Sequence, residues 1–113
     1  TGASFADTTA ALAGYVEMSP LPDAVLGGND QMAIAAMRFL SEKGHAIPGK
    51  VRVTGFNGFD FSHYSTPSLT TVRSAAYDIG EAAAVALLHR LTAGTFSRRD
   101  TVLPITLIEG ESA

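Results

Sequence analysis

Hydrophobic and polar positions follow two different periods along this chain, and the alternation between them outlines its elements. From Ser4 to Met18, Phe5, Thr9, Leu12 and Val16 recur near the helical period; Ser4 is a suitable N-cap and Ser19-Pro20 ends the run. A short apolar run, Ala24 to Gly27, predicts a strand. Gln31 to Lys43 predicts a second helix closed by Gly44, and Val51 to Thr54 a second strand, so that this stretch is a βαβ unit. Within Gln31 to Leu40 only Gln31 and Arg38 are polar. A helix apolar nearly all round is buried on two sides; one side is the sheet, and for the other the simplest candidate is a partner subunit.

Beyond Phe56 an aromatic, glycine-containing loop (Asn57 to Thr66) leads to a short strand, Leu69 to Val72, whose β-branched threonines suit an extended run. Tyr77 to Leu91 predicts an alanine-rich helix with Ile79, Ala83, Ala86, Leu87 and Leu91 on one face and Gly94 as its stop. Ser97 to Asp100 is a polar turn, and Thr101 to Ile108 a final strand in which Pro104 marks an edge or a crossover. Both early strands end in glycine followed by small polar residues. In a buried parallel sheet, such strand ends deliver side chains to a ligand crevice.

At 113 residues and 46% hydrophobic content, the chain can bury a core. Eight basic residues against eleven acidic ones give a net charge of −3, without the basic surplus of a self-sufficient nucleic-acid binder. Zero cysteines exclude a disulfide scaffold and thiol-ligated metal. No apolar stretch reaches the roughly 20 residues that span a bilayer, so no membrane partner is expected. The chain starts without methionine, just before a helix, which leads us to expect a piece of a longer polypeptide.

Asn29-Asp30 stands where a strand meets a helix, and either residue can be the N-cap of that helix while its neighbour faces the crevice. Asn57, after Gly55-Phe56, points into the same crevice or is a turn asparagine beside Gly58. Arg73 and Ser74 close the third strand; Arg73 is a solvated strand-end charge in the plainer reading, and Ser74 is a third candidate contact. Phe56, Phe59, Phe61 and Tyr64 suit an apolar floor for a sugar ring or, in the reading we prefer, an interface. His45, His63 and His89 share no metal-ligand spacing, and Asp60, Ser62 and His63 lie too close in one loop to form a triad. No Gly-x-Ser-x-Gly elbow, P-loop lysine or dinucleotide fingerprint is present. We therefore expect no catalytic residue, no metal, no cofactor and no enzyme activity.

In their order and spacing, residues 22–33 (PDAVLGGNDQMA), 51–58 (VRVTGFNG) and 67–73 (PSLTTVR) closely resemble the effector-binding domain of the lac repressor/gal repressor family of bacterial transcription regulators. The resemblance runs from the helix before Pro22 to the closing Leu103 to Ile108 and covers only the later part of that domain. It implies an α/β fold, a doubly wound, mostly parallel sheet of the periplasmic binding protein-like type I, present here as a partial domain. It assigns residues 1 to about 73 and about 104 to 113 to the C-terminal lobe. About 76 to 103, a helix and a crossover, fall to the N-terminal lobe. A helix so separated from its lobe is expected to pack elsewhere, swap between subunits or stay mobile. The resemblance further implies that Asn29 hydrogen-bonds a small sugar-like effector between two lobes, with Asn57 and Ser74 nearby. Many members carry aspartate at the position of Asn57; the amide here both donates and accepts. The implied protein is a cytoplasmic, homodimeric regulator of carbohydrate metabolism, a repressor in the usual case, that touches DNA only through a headpiece absent from this chain. A periplasmic sugar-binding protein of a transporter shares the fold and is the alternative.

Overall fold

The computed structural model describes residues 4–113. The chain divides into two compact units: residues up to Arg73 together with Leu107–Ala113, and Ser74–Thr106.

In the first unit, helix α1 (Phe5–Met18) starts at Ser4, whose hydroxyl oxygen accepts from the Asp7 amide at 3.1 Å. Strand β1 (Ala24–Leu26), helix α2 (Asp30–Glu42) and strand β2 (Arg52–Thr54) complete the βαβ unit, with Gly44 at φ 80° just beyond the end of α2. The strands pair in parallel, Ala24 with Arg52, Val25 with Val53 and Leu26 with Thr54. Strand β3 (Thr71–Arg73) joins β2 through parallel bridges at Thr54–Thr70 and Asn57–Arg73, and pairs with β4 (Thr106–Ile108). The expected third strand is thus displaced toward its C-terminal end, with Thr70 as a bridge rather than a full member. The expected final strand shrinks to three residues: Pro104 has no N–H to donate, and only the stretch past it joins a ladder. The aromatic loop holds a 3-10 turn at Asp60–Tyr64, which alternation and turn residues did not predict.

The core lies between α2 and the strands. Ala33, Met37, Phe39 and Leu40 of α2 are buried with Val51, Val53 and Leu69. The second side of α2 is covered from within the chain, because α1 packs along it and brings Leu12, Ala13 and Val16 to the same cluster. This corrects the expectation that a partner subunit supplies that surface: a neighbouring helix with Leu12, Ala13 and Val16 in reach was available nearby in sequence. Gly27 marks the tightest approach, since a Cβ there would lie 2.7 Å from the Ala33 backbone nitrogen. The opposite face of the sheet is open. Leu26, Thr54, Val72 and Leu107 line a concavity of about 280 Å³ there.

The last residues lock the sheet from its edge. Ser112 is buried, its hydroxyl donating to the Val53 carbonyl (2.6 Å) and accepting from the Thr70 amide (2.9 Å). The Ser112 carbonyl accepts from the Val53 amide at 2.8 Å. This satisfies buried backbone groups between β2 and β3 that no strand partner reaches.

In the second unit, helix α3 (Ala76–Ala93) ends at Gly94, whose φ of 78° is the left-handed conformation that glycine adopts without penalty. None of its residues is buried, and Ile79, Val85, Leu87, Leu88 and Leu91 are exposed.

Three glycine and leucine substitutions probe this packing. Leu40→Ala removes a fully buried side chain and should cost about 2–5 kcal/mol in urea unfolding. Gly27→Ala forces strand and helix apart and should cost about 1–3 kcal/mol. Gly14→Ala meets no atom within 4 Å on α1 and should instead stabilise by about 0.5–1 kcal/mol. A neutral Gly27→Ala would refute the close approach of β1 to α2.

Candidate effector site

The C-terminal ends of three strand segments meet at one end of the sheet, and each delivers polar groups there. After β1, the Gly27 amide still donates to the Thr54 carbonyl at 2.8 Å, so the chain leaves the sheet only at Gly28. Asn29 then takes extended backbone angles and caps α2, its side-chain oxygen accepting from the Met32 amide at 2.8 Å. The capping role considered for the Asn29-Asp30 pair therefore falls to Asn29. Its oxygen is committed to the helix, while its amide N–H donors make no hydrogen bond among the described residues. Asn29 is half-buried.

Asp30 takes a different part. It is 0% exposed and joins the end of β2 and the following loop: its amide donates to the Phe56 carbonyl (2.9 Å) and its Oδ2 accepts from the Phe59 amide (2.7 Å). Its Oδ1 accepts from the Thr71 hydroxyl on β3. Sequence reasoning offered Asp30 as an alternative cap or as the cap's neighbour facing the crevice, and missed this role. The signal available was Gly55, where any Cβ would collide with Asp30 Oδ1.

Asn57 stands beyond β2 with φ 104°, next to Gly58 at 68°. The turn reading is thus correct, and it coexists with placement at the strand end. The Asn57 amide donates to the Val72 carbonyl at 2.9 Å, and Asn57 bridges to Arg73 in parallel register. Asparagine is among the few residues enriched at positive φ, which suits it to this position sterically. Gly58 is obligatory on two counts: its φ, and the 2.6 Å that would separate an added Cβ from Arg73 Cα. Arg73 is exposed. Ser74 follows it as the first residue of the second unit and is half-buried.

The structure thus brings Asn29, Asn57 and the end of β3 to one edge of the first unit. The donors and acceptors offered there are neutral amides, with one exposed guanidinium at the margin. Such a set can hydrogen-bond hydroxyl groups from fixed positions. Phe56, Phe59, Phe61 and Tyr64 are all exposed, with Phe59 and Phe61 stacked at 5.4 Å between ring centroids.

Residues 2–113 match the family model described as a periplasmic binding protein-like domain. The chain is 39% identical over 92 residues to the lactose operon repressor of Rhizobium radiobacter, a match covering 81% of this chain and 80% of that protein. Among solved structures, a complex of the transcriptional regulator CelR with cellobiose superposes with a TM-score of 0.89 at 28% identity, over 97% of this chain and 34% of that one. A dimeric Lac repressor with an 11-residue C-terminal deletion gives a TM-score of 0.85 at 27% identity, over 96% of this chain and 40% of that one. The chain therefore spans well under half the length of these solved relatives. The relatives are transcriptional regulators rather than enzymes, and they favour the regulator over the transport receptor. With parallel strands ending at a cluster of amides, and with the family model matched over nearly its whole length, the chain belongs to the periplasmic binding protein-like family, among its lac repressor-type regulators.

Proposed function

We propose that this chain is the effector-sensing segment of a DNA-binding transcriptional repressor of carbohydrate genes. The observation that carries this reading is the convergence of Asn29 and Asn57 at the C-terminal ends of parallel strands, in a chain that matches sugar-operon repressors. A small neutral sugar is the effector class that fits amide donors without a carboxylate or a basic cluster. In the intact polypeptide the sugar sits between two lobes, with Asn29, Asn57 and Ser74 contributing from this segment. Residues 1 to about 73 and 104 to 113 form part of the C-terminal lobe, and about 76 to 103 belong to the N-terminal one.

The intact protein acts in the cytoplasm, as a homodimer, and reaches DNA through a headpiece outside these 113 residues. Similarity to a dimeric Lac repressor supports the dimer, and so does the exposed aromatic group at Phe56, Phe59, Phe61 and Tyr64. Sugar shifts the protein between lobe arrangements by its difference in affinity for them, and DNA affinity changes by at most that factor.

Two substitutions separate capping from sugar contact at Asn29. Asn29→Ala removes the cap and should cost about 1 kcal/mol of stability, whereas Asn29→Asp keeps it. Both lose the amide donors. If these make two hydrogen bonds worth about 1 kcal/mol each, affinity for the cognate sugar falls by roughly 30-fold in either variant. Calorimetric titration of the intact protein with lactose, cellobiose and ribose measures this. Unchanged affinity in Asn29→Asp would leave Asn29 as a helix cap only, and absence of binding to any sugar would remove the effector class from the reading.

A further inference from the structure

We propose that Asp30 is a positioning residue: its buried carboxylate fastens the Asn57 loop and strand β3 to the start of α2, so that the strand ends carrying the candidate contacts keep a fixed mutual placement. The consequence for sugar binding rests on the effector reading above; the fastening itself rests on the geometry of this chain alone.

Three acidic residues stand in the first turns of the three helices: Asp7, Asp30 and Asp78. Asp7 and Asp78 are exposed, as expected of carboxylates that serve only the helix dipole. Asp30 is 0% exposed and has no ion pair among the described residues. Burial of an unpaired carboxylate is unfavourable unless hydrogen bonds replace its water. Here the Phe59 amide approaches one oxygen at 2.7 Å and the Thr71 hydroxyl the other. Both partners donate, so the site requires two acceptors. An asparagine side chain offers one and would turn its own N–H groups toward a donor.

What the carboxylate holds is a loop with little reason to keep its shape. Asn57 and Gly58 occupy consecutive positive φ angles of 104° and 68°. The loop is pinned at three points: the Phe56 carbonyl and the Phe59 amide bind Asp30, and the Asn57 amide binds Val72. Asp30 supplies both outer pins and, through Thr71, also reaches the strand that provides the middle one. Gly55 and Gly58 leave the room this needs, one beside Asp30 and one against Arg73. Displacement of the carboxylate would loosen the Asn57 loop and strand β3 from the start of α2 together.

Amide hydrogen exchange on the full chain, read by NMR, tests this in Asp30→Asn, Thr71→Val and Thr71→Ser. In Asp30→Asn the Asn57 and Phe59 amides should exchange about tenfold faster or more, while amides in the middle of α2 hold their wild-type rates. Thr71→Val should move the same two amides in the same direction, and Thr71→Ser, which keeps the hydroxyl, should leave them unchanged. Should Asp30→Asn fail to fold, the two Thr71 variants decide. Wild-type rates at Asn57 and Phe59, or an equal acceleration throughout α2, would overturn the proposal. Titration of the intact protein with lactose, cellobiose and ribose adds the functional arm: weaker binding in Thr71→Val with rescue in Thr71→Ser supports positioning of the sugar contacts. Sugar affinity unchanged while exchange rises would confine Asp30 to loop order and refute its role in the site. Absence of any sugar binding by the wild type would remove the effector reading, with the fastening still decided by exchange.

Discussion

The seating of α2 on the parallel pair β1–β2 is the interaction on which the remainder of the first unit depends. Leu40, Met37 and Ala33 press against Val51 and Val53, and the missing Cβ at Gly27 lets the start of the helix come down onto the end of β1. Burial of the leucine, methionine and valine side chains is worth about 1.5–3 kcal/mol each, an energy without direction. Close packing at Gly27 converts it into a fixed position for residues 29 and 30. A helix start held this firmly can carry a cap facing one way and a carboxylate facing another.

Polar contacts then turn an apolar sandwich into a specified end. Asn29 satisfies the helix, Asp30 gathers the following loop, and Ser112 closes β2 against the segment before β3. Each acts between segments far apart in sequence: Asp30 and Phe59 are 29 residues apart, Ser112 and Val53 59. No buried side-chain polar atom among the described residues lacks a partner. The strand ends that bear Asn29 and Asn57 are therefore anchored by groups whose buried hydrogen bonds are satisfied within the chain.

The two units differ in how far they are built. The first has a core, a helical layer and an edge lock, with one sheet face left open around Leu26 and Leu107. The second is a capped helix and a chain segment in which Ile79, Val85, Leu87, Leu88 and Leu91 are exposed. These 113 residues span 34% and 40% of the two solved regulators named above.

Local order was legible in the amino-acid sequence because it rests on local physics. The Ser4 cap, the glycine stops at Gly44 and Gly94, the βαβ run and the strand-end placement of Asn29 and Asn57 follow from propensity, period and turn chemistry within a few residues. Three motif segments in order likewise sufficed to indicate the family. Tertiary structure decided what depended on distant partners. It chose α1 rather than another subunit to cover α2, trimmed the strands to residues with ladder partners, and made Asp30 a buried tether while Asn29 became the cap. A carboxylate beside a helix start reads the same in sequence whether it faces water or a loop 29 residues away, because only the closed fold removes its water and supplies the donors that replace it.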